Sequence, residues 1–197
     1  RYGRLIDWPP GSGQQHGWFE VSPIAGKHAL QLTLHWPHPQ TLWPVVRQCR
    51  RMLDLDADMH SIEQQLSGLF CERLKSGLRL PGVWSAFEAG IRAVLGQQVS
   101  VAAARTQLNR LLQLGQPVAA PLCCPQQSGP WRLFPTPQQL ASDPLDVIKV
   151  PAARKATLQA LASLLVTDPT AQPEQWLTIK GIGPWTVAYS KMRGLSE

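Results

Sequence analysis

Near the end of the chain, the run Gly181-Ile182-Gly183-Pro184 constrains the fold more than any other feature of the 197 residues. Two glycines around one apolar residue permit a tight turn through backbone conformations that a side chain resists. Pro184 suits the first position of a following helix, where its missing N–H is no loss. With Leu177-Thr178-Ile179-Lys180 before it and Trp185-Thr186-Val187-Ala188-Tyr189 after it, the segment reads as helix, turn, helix. N–H groups of the turn and of the second helix's first residues converge into an anion site with partial positive charge, suited to a phosphate. A plain connection between two helices would use the same residues, so the rest of the chain has to decide.

The first 54 residues read differently from the remainder of the chain. Leu30, Leu32 and Leu34 alternate with Gln31, Thr33 and His35, the period of a half-buried strand, and Trp18-Phe19-Glu20-Val21 is its candidate neighbour. A helix from about Thr41 tolerates Pro44 in its first turn and lines up Leu42, Val45, Cys49 and Met52, with Arg47, Arg50 and Arg51 mostly opposite. From Ser61 the signals are helical. Ser61-Ile62-Glu63-Gln64 and Ser85-Ala86-Phe87-Glu88 have the form of capping boxes. Phe87, Ile91 and Val94 or Leu95 follow at helical spacing, Gly96-Gln97-Gln98 breaks the helix, and Ser100 caps the next, which carries Val101, Leu108, Leu111 and Leu112. Residues 115–135 are a Pro-, Gly- and Gln-rich surface loop, its end held by Trp131, Leu133 and Phe134. Thr136-Pro137 and Asp143-Pro144 read as two more helix starts; a longer helix from Ala152 carries Leu158, Leu161 and Leu165 inward; Trp176 and Leu177 anchor a short helix over Pro173–Thr178. Three segments result: 1–54, a partial antiparallel sheet with a packing helix; 55–85, a helical connection; and 86–197, an all-helical core. The fold class is α+β.

Charge and cysteines narrow the partners. A net charge of +6 suits a polyanion, and Arg73, Lys75, Arg79, Arg92, Arg105 and Arg110 occupy a stretch where Glu88 is the only acid, which predicts a basic face on the central helices. Cys49, Cys71, Cys123 and Cys124 form no C-x-x-C pair and have no histidine at ligand spacing, which excludes the usual zinc and iron–sulfur patterns; Cys49 and Cys71 read as core. No apolar run approaches a membrane span and no secretory signature opens the sequence, which points to a reducing compartment, the cytoplasm of a bacterium or a nucleus.

The hairpin, together with Phe87-Glu88-Ala89-Gly90-Ile91-Arg92-Ala93-Val94-Leu95-Gly96-Gln97-Gln98-Val99-Ser100, resembles the 3-methyladenine DNA glycosylase II branch of the helix-hairpin-helix base-excision DNA glycosylases. Leu80-Pro81-Gly82 and Phe134-Pro135-Thr136-Pro137 add to the similarity, which covers roughly residues 28–197. The resemblance implies an enzyme that swings a damaged nucleotide out of duplex DNA before cutting its base free. Gly181, Ile182, Gly183 and Thr186 would hold a phosphate, and the backbone carbonyls of Leu177, Ile179 and Ile182 a Na⁺ or K⁺ ion; no other cofactor is implied. Gln98 would fill the vacated gap, where some relatives use leucine; a glutamine capping the helix turn is the plainer alternative. Gln97 satisfies backbone groups within the fold. Trp185 and Tyr189, four apart on one helix face, would line the base pocket; ordinary core packing is the alternative. Their electron-rich faces attract an alkylated, cationic purine by about 1–3 kcal/mol.

Trp185 stands where strand-cleaving relatives carry a lysine nucleophile, and Lys180 faces the backbone, so the implied chemistry is monofunctional hydrolysis of the N-glycosidic bond. In the family an aspartate beyond the second hairpin helix stabilises the oxocarbenium-like sugar. Asp143, Asp146, Asp168 and Glu174 do not match it, so the catalytic acid is expected beyond Glu197 and the chain is expected to bind duplex DNA, as a monomer, with little base release. The family's returning C-terminal helices cover the stretch equivalent to 61–85, and without them Leu66, Leu69 and Phe70 would lose burial. The alternative function is a non-enzymatic duplex-binding module built on the same hairpin.

Overall fold

The computed structural model describes residues 1–70, 75–119 and 131–196; Cys71, Arg73, Cys123, Cys124 and Glu197 lie outside these. The fold is α+β: a three-stranded antiparallel sheet with one packing helix, then a helical core. Strand β1 (Tyr2–Trp8) pairs with β2 (Gln15–Pro23), Tyr2 opposite Val21, and β2 pairs with β3 (Leu30–His35), Trp18 opposite His35. Period-two spacing identifies β3 and its neighbour but not β1, where Leu5, Ile6 and Asp7 are buried in succession because both faces of the sheet are covered. On one face Ile6, Phe19 and Val21 meet Val45, Cys49 and Met52 of α1 (Leu42–Met52) and Trp84. On the other, Leu5 and Trp18 meet Leu133, beside the short ribbon of β4 (Pro117–Val118) and β5 (Trp131–Arg132).

The segment 82–84 stitches the parts together. The Gly82 N–H donates to Met52 O (2.7 Å), the Val83 N–H to Arg193 O (2.7 Å), and the Trp84 indole N–H to Asp7 O (3.0 Å). In the core, α3 (Ala86–Gly96) is the central element, with Phe87, Ile91, Val94 and Leu95 buried among Leu111 of α4 (Val101–Leu111), Leu140 of α5 (Pro137–Ser142), Leu158 and Leu161 of α6 (Ala152–Thr167), Trp176, and Val187 of α7 (Pro184–Gly194).

Several local expectations are corrected. Helix α2 (Met59–Phe70) starts before Ser61: Asp58 accepts from the Ser61 N–H and hydroxyl, and this carboxylate does the capping. Ser85 caps α3 through Glu88 N (3.1 Å), but the Glu88 side chain does not return the bond, because two arginines claim it. No helix begins at Asp143; its carboxylate accepts from Leu145 N (2.7 Å), Leu145 takes φ +57° and drops its side chain into the core, and Asp146 pairs with Lys155. Leu42 and Leu177 are not buried, and Leu30 is exposed. Leu69 and Phe70 are exposed, as expected, while Leu66 is half-buried. The Thr136–Gln139 capping box and the helix from Ala152 form as expected.

Candidate nucleic-acid interface

The hairpin's first arm is a single 3-10 helix, Pro173–Thr178, held down by the fully buried Trp176. Its turn closes with Ile179 N–H on Trp176 O (2.9 Å) and Ile182 N–H on Ile179 O (3.0 Å). Gly181 adopts φ +96°, and a Cβ there would lie 2.3 Å from Thr157 Oγ1, so both conformation and space require glycine. Ile182 inserts its side chain into the core, which presses the turn backbone against α6. At the start of α7, Val187 N–H reaches Gly183 O (3.2 Å), while the N–H groups of Gly183, Trp185 and Thr186 have no intramolecular acceptor among the described residues. Those donors, with the partial positive charge of the helix start, give this end of the hairpin the chemistry that suits an anion. The Leu177 and Ile182 carbonyls likewise receive no N–H among the described residues, and Ile179 O accepts one, from Ile182.

The turn between α3 and α4 lies against this hairpin. Gln98 sits at its tip, exposed, in the left-handed conformation (φ +55°), and Ser100 caps α4 through Ala103 N (3.2 Å). Gln97 satisfies backbone groups: its side-chain amide donates to Gly181 O (2.9 Å) and, more weakly, to the Thr186 hydroxyl (3.4 Å), while its carbonyl accepts from Arg154 Nη2 (2.8 Å).

Beyond the hairpin opens a cleft of about 510 Å³ lined by α3, α4 and α7. Trp185 and Tyr189 stand on its wall with stacked rings, centroids 5.3 Å apart and planes 24° from parallel. Tyr189 is also flanked by the Arg193 guanidinium, 6.0 Å from its centroid, whereas Trp185 is 62% exposed and offers the open aromatic surface. Arg92, Arg105 and Asn109 face the same cleft, and no Asp or Glu is among its described lining residues.

The predicted basic face is only partly formed. Arg79 turns inward to the carbonyls of Asp54 and Ala57, and Arg92 is held by Glu88 Oε1 (Nη2, 2.8 Å). Arg105 and Arg110 remain exposed on α4. Glu88 is buried, and its other oxygen takes Arg4 of β1 (3.0 Å). Burial alone would raise its pKa, but Arg4 and then Arg92 outweigh that and hold the carboxyl below the usual glutamate range. This triad was not identified from the sequence; the available signal was Arg92 four residues after Glu88, but Arg4, 84 residues away, left none. Cys49 is a core residue whose thiol burial pushes up to about 12.

Residues 1–85 match the family model of the AlkA N-terminal domain. Over 92% of its length the chain is 35% identical to DNA-3-methyladenine glycosylase 2 of Escherichia coli (strain K12), covering 66% of that protein. Over 79% it is 36% identical to the probable bifunctional transcriptional activator/DNA repair enzyme AlkA of Mycobacterium tuberculosis (strain H37Rv), covering 33% of it. The chain thus spans between a third and about two thirds of the length of these relatives. Among solved structures, MBOgg1 in complex with a low-affinity DNA ligand superposes with TM-score 0.68 at 13% identity, covering 92% of this chain and 66% of that one. The Clostridium acetobutylicum 8-oxoguanine glycosylase/lyase, bound to duplex DNA with cytosine opposite 8-oxoG, gives 0.67 at 13%, covering 98% and 69%. At such identities these two show the fold alone.

Proposed function

Because the chain belongs to the DNA-3-methyladenine glycosylase 2 family of helix-hairpin-helix DNA repair glycosylases, we propose that it grips duplex DNA, extrudes an alkylated purine nucleotide and stacks the base on Trp185. One observation carries this reading: a 62% exposed tryptophan stands on the wall of an open cleft, one residue past the start of the helix whose unpaired N–H groups form an anion site. A phosphate on the Gly183, Trp185 and Thr186 N–H groups would bring the neighbouring nucleotide to Trp185, and Gln98 would enter the gap left behind. Carbonyls of Leu177, Ile179 and Ile182 would hold a Na⁺ or K⁺ ion, which supplies positive charge beside the same phosphate. The chain acts as a monomer where DNA is kept, the bacterial nucleoid or a nucleus; no helix among the described residues is long and apolar enough to cross a membrane.

The chemistry is hydrolysis without strand cleavage, since the cleft's described lining holds no lysine. It holds no carboxylate either, so these residues bind and extrude but do not by themselves stabilise the departing sugar. The test pairs free-base release from methylated duplex with affinity for lesion-bearing and plain duplex. Tighter binding to the lesion without release is expected. Base release would overturn the claim about the carboxylate, and equal affinity for both duplexes would make the chain a DNA-binding module without base recognition.

A further inference from the structure

We propose that Gln97 and Arg154 are positioning residues that couple the phosphate grip to the gap-filling turn, so that holding the backbone and filling the stack are one mechanical event. Three bonds close a ring around the two sites. The Gln97 side chain donates to Gly181 O in the hairpin (2.9 Å). Its own carbonyl accepts from Arg154 Nη2 on the first turn of α6 (2.8 Å). One turn further along α6, the Thr157 hydroxyl shares its proton between Ala153 O (3.0 Å) and Lys180 O (2.9 Å), returning to the hairpin from the other side. Gln98, next in sequence, hangs from this ring in a left-handed conformation that only a fixed backbone on both sides maintains in a non-glycine residue. Neither Gln97 nor Arg154 lines the cleft beside Trp185. The Gln97 side-chain amide and Arg154 Nη2 are engaged with protein backbone.

Without the ring, the hairpin still binds a phosphate through its own N–H groups, and Gln98 still lies near the duplex, but the distance between them is no longer set. The consequence is specific: plain duplex affinity persists while extrusion fails. This rests on the extrusion reading of the cleft, and the experiment separates the two. Gln97→Leu removes the donor to Gly181; Arg154→Met removes the clamp on the Gln97 carbonyl and leaves the hairpin bond intact; Arg154→Lys restores a donor. Each is mixed to saturation with a duplex containing 2-aminopurine, whose fluorescence rises on unstacking, and with the plain duplex.

For Gln97→Leu and Arg154→Met the fluorescence rise should fall about five-fold, the scale of one or two lost hydrogen bonds, with plain duplex affinity held within about two-fold because phosphate contacts remain. Arg154→Lys should recover most of the signal. An unchanged rise, a parallel loss of plain duplex affinity, or no recovery with lysine would each overturn the proposal. If the unsubstituted chain gives no rise at all, the extrusion reading fails instead, and the ring is then judged by hydrogen exchange. Gln97→Leu must speed exchange of the Ile182 amide, which donates to Ile179 O, by about ten-fold relative to those of α6; equal rates would sink it.

Discussion

Trp185 and Tyr189 share a helix face but not a role. Tyr189 has Trp185 on one turn and Arg193 on the next, so its ring is a support for the tryptophan more than a platform for a base. Trp185→Ala should therefore cost about 1–3 kcal/mol of preference for lesion-bearing over plain duplex, the usual worth of one stacked base, and leave plain duplex affinity unchanged in an anisotropy titration. Tyr189→Phe keeps the ring and should change neither. Gly181 has no such tolerance. Alanine there meets both a strained φ and the Thr157 side chain, and should cost about 2 kcal/mol in urea unfolding together with most of the affinity for plain duplex. A variant that unfolded normally but lost DNA would place the whole effect in the turn; one that kept DNA would remove the hairpin from the grip.

At the level of elements, α3 and α7 form the frame on which hairpin, turn and cleft are mounted, and they approach closely at Gly194, where a Cβ would lie 2.4 Å from Ala86 Cα. Gly194→Ala should push the two helices apart and destabilise the chain by about 2–3 kcal/mol, seen as a lower urea midpoint with an unchanged slope. Elements with a strong local signal were legible in advance: the hairpin, α4 with its Ser100 cap, α5 with its capping box, and α6 with its leucine spacing. Features that depend on distant partners were not. Strand β1 is sandwiched and lacks alternation; the Glu88 side chain abandons a cap for arginines on β1 and α3; and Asp143 makes a local turn because Leu145, beyond it, is drawn into the core. In the candidate site, residue types and order were visible at Gln97, Gln98, Trp185 and Tyr189, but the engagement of Arg154 and Thr157 needed α6 placed against the hairpin. Leu177 was expected beside Trp176 as an anchor of the short first helix; in the 3-10 arm Pro173 and Trp176 are buried and Leu177 turns outward.

For the molecule as a whole, pH acts in opposite directions through Asp7 and Glu88, the two carboxyls buried among the described residues. Glu88 is held below its ordinary 4.5, so its ion pairs contribute fully above that value and are lost as pH falls through the lowered one. Asp7 is raised above its ordinary 3.8, chiefly by burial and against the Gly13 N–H bond, so its ionisation opposes folding at neutral pH and relaxes when it protonates. The Glu88 loss involves two guanidinium partners and dominates, so unfolding free energy should decline on acidification below about pH 4.5. Glu88→Gln should abolish most of that decline and lower stability at neutral pH by about 3 kcal/mol, because the partly buried Arg4 is left without its counter-charge. A pH profile parallel to that of the unsubstituted chain would show that other carboxyls carry it.

The Arg4–Glu88 pair also bears on how such a chain can be reassembled by recombination. A crossover between residues 8 and 85 that brought in a sheet lacking a cation at the place of Arg4 would strip the buried Glu88 of one of its two guanidinium partners and leave it to Arg92. The reverse exchange would export an orphan cation. The smallest piece that travels without this defect therefore runs from the first strand through Gly96, across the boundary at which a cut by architecture would be made.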